Sequence, residues 1–136
     1  MDLRTGDIVT ASLKRLSCLY HKAIVVKCDD GSLLFFHNSP NAKNDYGSNL
    51  LIETPEEFFK TRVFHSVKHT NLTADEIFDA YDRLKRKTFN LLFYNCEHFV
   101  TTVAEKRKKS KQIRFWTVVL VLFVVWVVVA IRARKK

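Results

Sequence analysis

Tyr20–Pro40 reads YHKAIVVKCDDGSLLFFHNSP. The run Ala23-Ile24-Val25-Val26 is apolar and largely β-branched, the composition of a buried strand. Asp29-Asp30-Gly31-Ser32 follows as a turn of the Asp-Gly type, and Leu33 to His37 is the predicted return strand. A hairpin turning at Asp30-Gly31 brings its two open ends side by side. His21 stands at the start of the first strand and His37 at the end of the second, so the hairpin predicts two neighbouring imidazoles from residues 16 apart in sequence.

Outward from the hairpin, Thr5-Gly6-Asp7 is a turn that leads into a strand at Ile8–Ser12. Lys14 to Tyr20 is a connection, and Asn38 to Ser48, rich in Asn, Ser, Gly and Pro, is a loop. Thr54-Pro55-Glu56-Glu57 opens a short helix ending near Lys60, with Thr54 as cap, Pro55 at the first helical position and Glu57 closing a capping box. Arg62 to Val67 is a strand. Thr73-Ala74-Asp75-Glu76 is a second capping box, and its helix carries Ile77, Phe78, Tyr81 and Leu84 on one face with Lys85, Arg86 and Lys87 at its C-terminal end. Phe89 to Tyr94 is a further strand candidate. Asn95 then caps a helix that begins at Cys96 and is predicted to run on toward the basic cluster. The sum is an α+β domain: a small antiparallel sheet packed with helices.

The chain has 136 residues and a net charge of +9, and its hydrophobic fraction of 47% excludes a disordered protein. The charge is unevenly placed. Residues 1–105 hold 13 Lys+Arg and 14 Asp+Glu, whereas residues 106–136 hold 10 Lys+Arg and no acid. A nucleic-acid protein would carry basic residues on a folded face, so no nucleic-acid partner is expected. Phe115 to Ile131, FWTVVLVLFVVWVVVAI, is uncharged and flanked by KRKKSKQIR (106–114) and by the tail RARKK (132–136). This pattern predicts a domain at 1–105, a basic juxtamembrane segment at 106–114, a transmembrane helix at 115–131 and a basic tail at 132–136, the basic flanks attracting anionic lipid or setting topology. The N-terminus, MDLRTGDIVT, has no secretory or transit character. Cys18, Cys28 and Cys96 show neither metal-type nor disulfide-type spacing. Together these features predict a tail-anchored, single-pass membrane protein whose domain faces a reducing cytosol.

Cys96 is the one thiol placed for chemistry. A nucleophilic cysteine needs its thiolate, and the first turn of a helix, with free N–H groups and a positive dipole end, lowers a thiol pKa. It also needs an imidazole to take its proton and a third group to orient that ring. The hairpin supplies His21 and His37 for those roles. The bland reading makes Cys96 a small buried core residue and both histidines structural. His98 is turned about 200° from Cys96 by the helical period and is structural, and Glu97 complements the helix N-terminus. His65 and His69 have H-x-x-x-H spacing, but VFHSVKHT reads as strand into loop and lacks an HExxH glutamate, so no metal is expected.

NCEHFV (95–100) resembles the signature of the lecithin retinol acyltransferase-like family. That family includes H-rev-type phospholipase/acyltransferases, related bacterial domains and the picornaviral 2A proteins of the H-box/NC type, all of the papain-like superfamily. GDIV (6–9) resembles its N-terminal strand, YHKAIVV (20–26) its H-box, LLFFHNSP (33–40) its second-histidine segment, and TPEEFFKTRV (54–63) the helix and strand that follow in bacterial members. The resemblance implies a papain-like, NlpC-type domain with Cys96 as nucleophile, His21 as base and His37 as the residue that orients it. It implies an acyl chain taken from a phospholipid as a thioester, then passed to water, an amine or a lysophospholipid, with no cofactor. Where the family has an aromatic or small residue after the first histidine, this chain has Lys22. The alternatives are an inactive H-box/NC interaction protein tethered to a membrane and, third, a cysteine peptidase.

Overall fold

The computed structural model describes residues 2–14, 16–40, 42–90, 95–105 and 111–133. Five strands form one antiparallel sheet: β1 (Ile8–Leu13), β2 (Leu16–Lys27), β3 (Leu33–Asn38), β4 (Leu50–Glu53) and β5 (Arg62–Lys68), in the order β4-β3-β2-β1-β5. The helices are α1 (Pro55–Lys60), between β4 and β5, then α2 (Ala74–Leu84), α3 (Cys96–Ala104) and α4 (Lys111–Ala133).

The opening hairpin forms as its sequence predicts. Gly31 takes φ +84°, its N–H donates to the Cys28 carbonyl, and the Asp30 side chain accepts from Ser32 N–H. Lys27 then faces Leu33 and Ile24 faces Phe36. Successive strand residues point to opposite faces, and both faces here are covered. Ile24, Val26 and Phe36 pack with Ile77, Phe99 and Val103 of α2 and α3, while Ala23, Val25 and Phe35 pack with Phe58 of α1. A strand buried on both sides reads as a continuous apolar run, which is why Ala23–Val26 lacks alternation.

Two expectations change, and one strand is added. β2 starts at Leu16 rather than near Lys22, because Leu16 pairs with Leu13 in a tight β1–β2 hairpin that absorbs most of the expected connection. Leu50–Glu53 forms an edge strand against β3. α3 stops at Ala104 with Glu105 as its C-cap instead of running into the basic cluster. Both capping boxes form as predicted, on Thr54 with Glu57 and on Thr73 with Glu76. Of the strand candidate Phe89–Tyr94, residues 91–94 lie outside the described residues.

The expected membrane anchor is also corrected, and with it the expected single-pass localisation. Among the described residues, no helix is long and apolar enough to cross a membrane. The uncharged stretch of α4, residues 115–131, gives about 26 Å of helix at 1.5 Å per residue, short of a hydrocarbon core of about 30 Å.

Gly6 locks the N-terminal turn to the rest of the domain. It takes φ +89°, and a Cβ there would sit 2.6 Å from the Leu72 carbonyl oxygen. Thr70 Oγ1 donates to the Gly6 carbonyl, and His69 Nδ1 lies 2.7 Å from the fully buried Asp7 carboxylate. Gly6→Ala combines a left-handed backbone penalty of about 1–2 kcal/mol with overpacking of about 1–3 kcal/mol. The expected result is a loss of about 2–5 kcal/mol, measured by urea unfolding, with Gly31→Ala losing less because nothing lies within 4 Å of a Cβ there.

Candidate active site

His21 lies on β2 and His37 on β3, both on the Phe58 face of the sheet. Their rings stand 5.8 Å and 5.2 Å from the Phe58 ring, centroid to centroid. His21 Nε2 is 2.8 Å from His37 Nδ1, so the imidazoles are neighbours, as the hairpin predicts. The chain of contacts continues beyond them: His37 Nε2 is 2.8 Å from Glu53 Oε2, and the Arg62 guanidinium is 3.3 Å from the same oxygen. Arg62 also donates to the Phe58 carbonyl and lies over the Phe58 ring, 4.6 Å from its centroid.

This line of contacts fixes both tautomers. The His37–Glu53 contact is not squarely aligned as a hydrogen bond, yet at 2.8 Å a carboxylate oxygen tolerates an N–H and repels a lone pair. His37 therefore carries its proton on Nε2 and presents a lone pair at Nδ1. His21 must donate to that lone pair from Nε2, which leaves the lone pair of His21 on Nδ1, the position of a base.

The charge states agree. Burial pushes His21 well below its ordinary value, and the charges of His37 and Arg62 act in the same direction. Burial also lowers His37, against the pull of Glu53. For Glu53, burial pushes upward, but His37 and Arg62 together outweigh it and hold the carboxyl below the usual range. The resting relay is thus two neutral rings on an ionised carboxylate.

Cys96 reaches the same strand from the other layer. Asn95 caps α3, its side chain accepting from the N–H groups of Glu97 and His98, while His98 Nδ1 accepts from Asn95 N–H to close a capping box. His98 is thereby structural, as its position on the helix predicts. α3 packs on β2 and β3. The β2–β3 ladder ends at Ile24 opposite Phe36. Val25 N–H bonds toward the β1 side, to Asp7, so by alternation Lys22 N–H points to the β3 side, beyond the ladder's end. The backbone N–H groups of Lys22 and Glu97 both act on the Cys96 thiol and favour its ionised form. Among the described residues, Cys96 makes no hydrogen bond to an imidazole.

The thiol itself departs from expectation. Its place at a helix start predicts a lowered pKa, but burial pushes it above the ordinary thiol range, opposed by the Lys22 N–H and reinforced by the Glu97 charge. Cys96 is 8% exposed, and desolvation of the thiolate outweighs the helix end. At rest Cys96 is therefore a protonated thiol and His21 a neutral imidazole.

Two side chains of the site have no signal in their local sequence, Glu53 and Arg62, and the partner of Lys22 has none either. Glu53 and Arg62 flank α1 and meet because that helix leaves the sheet and returns. Lys22 Nζ bonds Glu97 Oε1 at 2.9 Å, from strand to helix. His65 packs on the Tyr20 ring and His69 on Asp7. Among the described residues, no three His, Cys, Asp or Glu side chains are grouped to hold a metal ion. Comparison with protein-family models, with curated proteins and with solved structures finds no match to this chain.

Proposed function

We propose that the domain is a cysteine-dependent acyltransferase or phospholipase A that carries an acyl chain of a phospholipid as a thioester on Cys96. The observation that supports this reading most is the His21–His37–Glu53 line, which turns a lone pair on His21 Nδ1 toward the free side of the relay. In the proposed reaction Cys96 Sγ–H gives its proton to His21 Nδ1 as the sulfur attacks the ester carbonyl. The C–O bond then breaks, the leaving alcohol takes the proton from His21, and the acyl group stays on sulfur. Water, an amine or a lysophospholipid, deprotonated by the same ring, attacks the thioester and restores the thiol. His37 and Glu53 stabilise the imidazolium that forms between the two proton transfers.

The test is direct. The full chain is incubated with phosphatidylcholine in mixed micelles, and the Cys96 peptide is examined for acyl mass. An adduct in the wild type is expected, with none in Cys96→Ala and lipid turnover reduced at least about 10³-fold. Equal turnover by Cys96→Ala, or no turnover by the wild type, would overturn the reading. A second reading, an interaction module that keeps the fold without turnover, is favoured by the buried thiol and its lack of an imidazole bond among the described residues. It predicts that neither protein turns lipid over.

A further inference from the structure

Lys22 follows His21 in β2, and Glu97 follows Cys96 in α3. Their side chains meet at 2.9 Å across 75 residues of chain. Glu97 is nearly enclosed, with its side chain 6% exposed, and Lys22 is partly covered at 27%. This contact ties the base-bearing strand to the nucleophile-bearing helix within one residue of each. It also lies where the β2–β3 ladder has ended, so at that height β2 is paired on its β1 side alone, Lys22 with Thr10, and its other side is open to α3.

We propose that the Lys22–Glu97 ion pair is a positioning clamp that sets the height of α3 on β2 and so holds Cys96 within reach of His21 and of the Lys22 N–H. The clamp rests on the reading of Cys96 as nucleophile. Lys22 and Glu97 are positioning residues: neither touches the reacting atoms through its side chain. The charged and titratable groups that act on the sulfur are Lys22 from β2, Glu97 from α3 and, at longer range, Arg62 of β5.

A clamp and a through-space charge effect make opposite predictions. Lys22→Met removes a cation beside the thiol, and Glu97→Gln removes an anion. If only charge matters, the first variant slows thiolate formation and the second speeds it. If the pair positions the sulfur, both move it away from its N–H partner and its base, and both slow it. Two rates are read on the full chain: acylation of Cys96 by p-nitrophenyl butyrate, and alkylation of Cys96 by iodoacetamide across pH, each followed on the Cys96 peptide by mass so that Cys18 and Cys28 do not interfere.

Both single variants are expected to acylate at least about tenfold more slowly, and both alkylation profiles to shift to higher pH. Lys22→Arg and the swap Lys22→Glu/Glu97→Lys, which keep an ion pair, are expected to stay within about threefold of wild type. Opposite shifts for the two single variants, or no shift in either, overturn the clamp. Should a single variant fail to fold, Lys22→Arg and the swap decide, and a swap as slow as an unpaired site overturns it. A wild type that is alkylated on Cys96 but never acylated sinks the proposed function and leaves the clamp readable from alkylation alone.

Discussion

His21→Gln is expected to slow acylation of Cys96 by about 10²–10⁴-fold, the span of general-base assistance. Glutamine retains an N–H that can reach His37 Nδ1, so the relay keeps its shape, but it offers no basic lone pair to the thiol. Stopped-flow release of p-nitrophenol from p-nitrophenyl butyrate measures the loss. A His21→Gln rate within threefold of wild type would remove His21 from the mechanism. The wild-type pH profile carries a second expectation. Because burial depresses His21, the ring stays neutral at and below its ordinary value of about 6.5. The acid limb of the rate should therefore fall below about pH 6.5. Stability moves with the same sign: on acidification the unfolded chain binds protons at these two histidines before the native chain does, so stability is complete above about 6.5 and is lost as the pH falls toward the depressed native values.

Glu53→Gln should be nearly as costly, at about 10²-fold or more, though Glu53 touches no substrate. A carboxylate can only accept, which forces the His37 proton to Nε2. A glutamine can donate to that nitrogen instead and so permits the opposite tautomer in both rings, with His21 presenting N–H rather than a lone pair to the thiol. Loss of tautomer control in a Ser-His-Asp triad costs about 10⁴-fold; the effect here passes through one more ring. Imidazole ¹⁵N shifts give the readout that a merely structural role would leave unmoved, with wild type showing His21 protonated at Nε2 and Glu53→Gln showing a mixture. Glu53→Asp should recover part of the rate. An unchanged ¹⁵N pattern with an unchanged rate would leave Glu53 as no more than a partner for Arg62.

Much of this arrangement is legible in the sequence because it depends on local rules. The Asp30-Gly31 turn places His21 beside His37, and Thr54, Thr73 and Asn95 each start a helix where their side chains can cap it. What is not legible depends on contacts across the chain. Glu53 is one acid among 14, and nothing near it signals that β4 will carry it to a histidine on β3. The direction of the Cys96 shift follows from how deeply α3 sinks against β2, a property of packing that helix position alone does not contain. Lys22 reads as a departure from a family pattern, and only the fold shows the acid that answers it. The anchor fails for a different reason: apolar composition is evident at 115–131, but the span is a matter of length, and 17 residues fall short.

The hairpin also sets a rule of parity. Cα partners in β2 and β3 number 24 with 36, 25 with 35, and 26 with 34. Side chains alternate between faces with period two, so both imidazoles face Phe58 only because the register and the spacing from His21 to His37 are matched in evenness. One residue added to the Asp29–Ser32 turn and passed into the strands would send one ring to each side of the sheet. Two would restore the face while sliding the rings past each other. The interval between the two histidines is in this sense quantised, and drift in its length is tolerated only where the turn itself takes up the change.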